Sequence, residues 1–204
     1  MGLNCFGGQR GVLLALSLGA VALATSAAVA QAEFKVAPVA EKKVTELPAG
    51  PLYWQIENFP TRAEAEAAAG PLSLAAEADG KAWLFTLGPE GAPTHGGTMV
   101  AEVGPLNEVT AQEYLLSIRE GVAPTGAKTM VHTHPGTEAF YVLKGQLSFR
   151  TPPGVDVVDA GKTLAGVAPD TPKEASSTGI TDLHELIMFV VDPAKPFASP
   201  AALE

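Results

Sequence analysis

The stretch "MVHTHPGTEAFYVLKG", residues 130–145, decides how the rest of the chain is interpreted. His132 and His134 are two residues apart, and side chains at that spacing in a strand point to the same face. The segment 135–137 predicts a turn, after which Glu138 begins a second strand. A hairpin of this kind brings one carboxylate beside two imidazoles. That donor set, with positions left open, suits Fe(II), Mn(II), Ni(II), Co(II) or Zn(II).

The residues around this hairpin predict an all-β domain. Asp79-Gly80 lies between two strand-like runs and is a strong hairpin signal. Further strand-like runs follow at short, regular spacing, separated by turns rich in Gly and Pro, at residues 98–104, 112–121, 127–134, 138–151, 155–161 and 181–192. Many short strands with such turns predict a sandwich or barrel rather than alternating β and α units.

Two glycines complete a longer pattern around the histidines. Gly126 precedes His132 by six residues, and Gly145 follows Glu138 by seven. With both histidines and the glutamate, this pattern resembles the first motif of the cupin superfamily at every fixed position. The resemblance implies a jelly-roll β-barrel over residues 73–192, which can dimerise. It also implies a metal held by two histidines and one glutamate.

The second cupin motif is incomplete in this sequence. Cupins carry a histidine there, and the matching stretch is "GVAPDTPKEASSTG", residues 166–179. Aligned on the Thr-Pro pair, Lys173 stands at the histidine position; aligned strictly from Pro169, Glu174 does. An inward Lys173 favours a metal-free pocket, and an outward one leaves the three ligands free. His184, in the last predicted strand, is a possible substitute ligand.

The two ends of the chain predict a leader and a tail. Residues 1–30 have one basic residue, an apolar stretch and small residues before Ala30 and Ala32, the layout of a cleaved signal peptide. Residues 31–72 are interpreted as an N-terminal extension with one strand, at 52–59, and a short helix capped by Thr61. Residues 193–204 are predicted to form a flexible tail. The expected location is periplasmic or secreted.

Composition limits the partners that the protein can have. The chain has 204 residues and a net charge of −9. Without residues 1–30, 12 basic residues face 22 acidic ones, and the only cysteine is lost. This balance argues against nucleic acid and against a membrane surface after cleavage of the leader. A small-molecule ligand or substrate fits better, and a homodimer is compatible with the fold.

These features leave several functions open. The first is a metal-dependent enzyme of the dioxygenase, isomerase or decarboxylase kind, as the resemblance implies, although no separate acid or base stands out apart from Glu174. The second is a non-catalytic barrel that binds a small ligand or a metal. A third and weaker reading is a structural or assembly protein.

Overall fold

The computed structural model describes residues 1–2 and 33–203. The predicted leader at 1–30 therefore lies outside the described residues, apart from Met1 and Gly2. The remainder forms one helix and fourteen strands in this described part: β1 (Lys35–Val44), β2 (Tyr53–Phe59), α1 (Arg62–Ala68), β3 (Ser73–Ala78), β4 (Lys81–Gly88), β5 (Thr98–Val103), β6 (Tyr114–Ala123), β7 (His132–Thr133), β8 (Gly136–Lys144), β9 (Gln146–Thr151), β10 (Gly154–Asp159), β11 (Thr163–Ala165), β12 (Glu174–Ser177), β13 (Leu183–Val191) and β14 (Ser199–Pro200).

The strands form four antiparallel sheets in the described residues, and the largest of them, the central sheet, has five strands. The central sheet has the order β1-β6-β13-β8-β11. A four-stranded sheet, β3-β4-β2-β5, and a three-stranded sheet, β10-β9-β12, accompany it, and β14 pairs with β7. This mostly β architecture is that of a cupin-like jelly roll, so the predicted fold class is confirmed. No helix among the described residues is long and apolar enough to cross a membrane.

The central sheet has an apolar core on each face. On one face, Leu186 and Met188 of β13 pack in a cluster with Trp54 and Phe85 of the four-stranded sheet. On the other face, Ile187 and other residues of β8 and β13 pack with the three-stranded sheet, whose contributions include Leu147, Phe149 and Ala175. The second core contains the candidate site, so the central and three-stranded sheets enclose it.

Local sequence signals explain the elements that frame these cores. Thr61 caps α1, accepting a hydrogen bond from the Glu64 backbone N–H at 3.2 Å, as the capping pattern predicts. Asp79 and Gly80 both have positive φ, 50° and 66°, as the tight turn between β3 and β4 requires. Gly145, with φ 77°, makes the turn between β8 and β9.

Three segments differ from their sequence-based expectation. Residues 35–44, interpreted as part of an N-terminal extension whose strand lies at 52–59, form a further strand, β1, and pair with β6. The run 127–134, expected to be a full strand, contains only the two-residue β7. The C-terminal segment, expected to fray, pairs through β14 with β7. In the first and third cases the backbone finds hydrogen-bond partners that side-chain periodicity does not indicate.

Candidate functional site

The first motif places two imidazoles edge to face, with ring centroids 4.8 Å apart. His132 Nδ1 lies 2.8 Å from the carbonyl oxygen of Met130, and His134 Nδ1 lies 2.6 Å from that of Phe197. Because a carbonyl oxygen only accepts, each Nδ1 carries the hydrogen and donates it. The two Nε2 atoms therefore point inward, 3.2 Å apart.

Lys173 and Glu138 form a buried ion pair beside the imidazoles. Lys173 Nζ lies 2.6 Å from Glu138 Oε1, with the two side chains 1% and 4% exposed. The two atoms are close without the alignment of a hydrogen bond, so the attraction is that of opposite charges. The other carboxylate oxygen lies 3.7 Å from His134 Nε2. Lys173 and His132 also exchange both backbone hydrogen bonds, which fixes the lysine at this position.

His134 is neutral in this environment. Burial, followed by the positive charge of Lys173, lowers its pKa from 6.5 to about 3. Desolvation disfavours the imidazolium, and the nearby ammonium repels it. His134 therefore presents an Nε2 lone pair, as an acceptor, to the interior.

The predicted metal ligands come together, but not as a metal centre. Among residues 1–2 and 33–203, no group of three or more His, Cys, Asp or Glu side chains is arranged to hold a metal ion. The donor types of His132, His134 and Glu138 suit a divalent cation. However, the Lys173 ammonium already neutralises the carboxylate and would repel a dication. With Lys173 inward, the residues do not fit a metal.

The other two sequence candidates lie away from this cluster. Glu174 turns to the opposite side of β12, where its carboxylate is 3.2 Å from Lys128 Nζ and 3.5 Å from an Arg150 nitrogen. His184 Nε2 is 2.7 Å from Glu120 Oε1, and its Nδ1 is 3.4 Å from Asp79 Oδ1, near the beginning of β13. Neither side chain lines the cavity described next.

A cavity of about 200 Å³ extends from the two imidazoles into the barrel. Most of its wall is apolar and much of it is aromatic, with contributions from Phe34, Phe140, Phe149, Ile187, Phe189 and Phe197. The rings of Phe189 and Phe197 pack edge-to-face against His134, with centroids 4.9 and 5.0 Å away. An apolar pocket with a few convergent polar groups is typical of a small-molecule site.

Sequence reasoning missed Glu185, a second acidic residue in the cavity wall. Its side chain is fully buried, and neither carboxylate oxygen has a hydrogen-bond partner in the described residues. Burial, followed by the negative charge of Glu138, raises its pKa from 4.5 to about 8. The available signal was a single carboxylate in the strand "LHELIMFVV", residues 183–191. Its face could not be assigned, because both faces of that strand are largely apolar.

Arg119 and Phe197 also line the cavity, and sequence reasoning missed both of them. The Arg119 guanidinium lies over the Phe197 ring, 3.7 Å from its centroid, and 3.3 Å from Glu41 Oε1. Phe197 belongs to the C-terminal segment, and its carbonyl accepts the His134 hydrogen bond. The segment that contains Phe197 is therefore part of the site.

Comparisons with known proteins find partial structural overlaps. No protein-family model matches the sequence, and no curated protein matches it. Solved structures that it resembles include the DMSP lyase DddQ from Ruegeria pomeroyi, at 16% identity and TM-score 0.37 over 42% of this chain and 43% of that one. A cupin-like protein from Thermotoga maritima overlaps 43% of this chain and 65% of its own, at 16% identity and TM-score 0.39.

An oxalate oxidase in complex with glycolate overlaps at 22% identity and TM-score 0.36, over 41% of this chain and 45% of its own. The chain thus spans less than two thirds of the length of each of these proteins. Of these three proteins, the one from Thermotoga maritima is described as cupin-like. What this chain binds has to be argued from its own residues.

Proposed function

We propose that this protein is an exported, non-catalytic cupin-like barrel that binds a small organic molecule in the cavity beside His134. One observation carries the proposal: Lys173 stands where a fourth metal ligand is expected and lies 2.6 Å from Glu138. The pair turns a potential metal site into the polar end of an otherwise apolar pocket. The pattern of residues 1–30 supports export.

The energetics favour the ion pair over a metal in this arrangement. For Lys173 to act as a ligand, its pKa would have to fall from about 10.4 to below 7, which costs roughly 4 to 5 kcal/mol. If it stayed charged, it would repel the metal. If it swung away, the buried Glu138 would lose its counter-charge before any metal arrived, and an uncompensated buried charge is strongly unfavourable.

A divalent metal centre at His132, His134 and Glu138 is the second candidate. The specific observation in its favour is that both Nδ1 atoms donate to backbone carbonyls, which turns both Nε2 lone pairs inward. Metal-binding histidines are held in this way. Bound Fe, Mn, Ni, Co or Zn would supply Lewis-acid or redox chemistry, such as that of a small-molecule dioxygenase.

Metal analysis of the purified full chain separates the two candidates. We expect the wild type to hold no stoichiometric metal and to show no heat of binding with Mn(II), Ni(II) or Zn(II). Lys173→Ala should gain metal binding, whereas Lys128→Ala, which alters an exposed lysine, should not. Stoichiometric metal in the wild type that disappears in a His132→Ala/His134→Ala variant would overturn the first candidate and support the second.

Ligand binding tests the cavity itself. Small aromatic molecules should raise the melting temperature of the wild type. Ala175 lines the cavity, so Ala175→Leu should fill part of it and reduce this rise. Ala194→Leu, at an exposed position in the C-terminal segment, serves as the control. If no small molecule in such a panel binds, the proposed function is wrong.

A further inference from the structure

Glu185 lines the cavity with a carboxyl group of which both oxygens lack hydrogen-bond partners in the described part of the protein. It lies on β13 in line with Ile187 and Phe189, all three of which line the cavity. Neither of its oxygens has a hydrogen-bond partner in that part of the chain. Burying an unpaired carboxyl group costs free energy, whether it is charged or neutral.

The neighbouring strand leaves room for this carboxyl group. Gly121 of β6 pairs directly with Glu185. A Cβ atom at position 121 would lie 2.9 Å from the Cγ of Glu185 and 3.0 Å from its Oε1. Any larger residue would therefore crowd the carboxyl group. Glycine here accommodates the acidic side chain against the strand.

The polar atoms that face the cavity are mostly acceptors. His134 offers an Nε2 lone pair, and His132 has its Nδ1 hydrogen committed to Met130. The charge of Glu138 is matched by Lys173. The positive group in the wall, Arg119, is already paired with Glu41 and stacked on Phe197. What the cavity lacks is a hydrogen-bond donor, preferably a positively charged one, beside Glu185.

The rest of the cavity wall determines the size and chemical character of the part of the ligand that does not contact Glu185. Aromatic rings hold apolar groups, and their faces also attract cations. A cavity of about 150 Å³ accommodates benzene, so this one, at about 200 Å³, has room for one ring and a short substituent.

We propose that Glu185 anchors the ammonium group of a small aromatic amine whose ring packs among the phenylalanines. This inference rests on the proposed ligand-binding function and names the ligand class. An ammonium group donates up to three hydrogen bonds, which matches the two unpartnered Glu185 oxygens. It also supplies a counter-charge that stabilises the ionised form of Glu185.

Calorimetric titration at neutral pH with three isosteric probes tests the proposal. Benzylamine is cationic, benzyl alcohol is neutral and benzoate is anionic. The wild type should bind benzylamine at least about tenfold more tightly than benzyl alcohol, a difference of about 1.4 kcal/mol. Benzoate should bind most weakly. This comparison needs no variant, so it does not depend on how a substitution affects folding.

Two variants then test whether Glu185 causes the preference for benzylamine over benzyl alcohol. Glu185→Gln should bind benzylamine and benzyl alcohol with similar affinity, because it keeps the shape but removes the charge. Glu174→Gln, which alters a carboxylate directed away from the cavity, should keep the wild-type preference. Equal binding of the two probes to the wild type, stronger benzoate binding, or an unchanged preference in Glu185→Gln would overturn the proposal.

The outcomes also separate this proposal from the one it rests on. If the probes bind without regard to charge, and Ala175→Leu weakens all of them, the cavity binds ligands but the amine assignment is wrong. If none of the three binds and no other small molecule does, both the ligand class and the proposed function are wrong.

Discussion

Lys173 and Glu138 depend on each other because each is buried. Lys173→Met should destabilise the protein by about 3 to 5 kcal/mol, since it leaves Glu138 as an uncompensated buried charge. The measurement is the free energy of unfolding in urea. Lys128→Met, which alters an exposed lysine beside Glu174, should cost less than about 1 kcal/mol.

The paired substitution distinguishes the ion pair from simple packing. Adding Glu138→Gln to Lys173→Met removes the unpaired charge and should recover much of the lost stability. A double variant whose loss equals the sum of the two single losses would show that the two charges do not interact.

Glu185 makes stability depend on pH in a specific direction. Its pKa is about 8 in the folded protein and 4.5 as an unperturbed group, so the folded state binds more protons between these values. The contribution of Glu185 to the free energy of unfolding should therefore be greatest below pH 4.5 and should fall as the pH rises towards 8. The loss is on the order of 5 kcal/mol. Glu185→Gln should remove the decline, as measured by unfolding at pH 5 and pH 8.

His134 changes stability in the opposite direction from Glu185, and it does so over a different pH range. Its pKa, about 3 when folded against 6.5 unperturbed, makes stability rise from pH 3 to pH 6.5. Above pH 6.5, Glu185 is the one of these two groups that still changes stability. A wild type that loses no stability between pH 6.5 and 8 would contradict the burial of Glu185 as an acid.

At the scale of elements, the convergence of the first-motif side chains could be predicted because their spacing carries geometric information. The predicted hairpin was wrong, since β7 pairs with β14, whereas β8 pairs with β13 and β11. The two-residue interval placed both imidazoles on one side, and Gly145 marked the turn that follows. β13 could not be interpreted in the same way. It lies at the centre of a sheet covered on both faces, so its residues are apolar throughout and a period of two is invisible. The position of Glu185 was hidden for that reason.

Lys173 shows a second limit of sequence reasoning. Its identity at the degenerate motif was evident, but its direction depends on the backbone pairing of residues 132 and 173, which are far apart in sequence. The same holds for β1 and β14, which have little periodicity of their own. Backbone pairing with β6 and β7 makes these two segments strands.

The C-terminal segment is the element whose contribution is easiest to isolate. Phe197→Ala should lower stability by about 2 kcal/mol, less than the loss for a fully buried phenylalanine, because Phe197 is half-buried. It should also weaken ligand binding, since the ring lines the cavity and packs on His134. Lys195→Ala, an exposed change in the same segment, should affect neither. Thermal unfolding and calorimetric titration measure the two effects, and equal behaviour of both variants would show that the segment does not support the site.

The whole molecule is organised around its doubly covered sheet. β6 and β13 lie inside that sheet, with a core on each face, whereas β10 is at the edge of the three-stranded sheet and exposes Val155 and Val157. Amide hydrogen exchange should therefore be slowest in β6 and β13 and faster in β10 and β14. Peptide-level exchange followed by mass spectrometry measures this order. Protection of β10 equal to that of β13 would contradict it.

The backbone link between His132 and Lys173 also offers a way to observe the site. Each amide N–H donates to the other residue's carbonyl, at 3.0 and 2.9 Å, beside the ion pair and the imidazoles. The nuclear magnetic resonance signals of these two amides should shift when a guest molecule enters the cavity or when the ammonium moves. Two natural reporters thus sit at the polar end of the barrel, and they need neither a dye nor an engineered label.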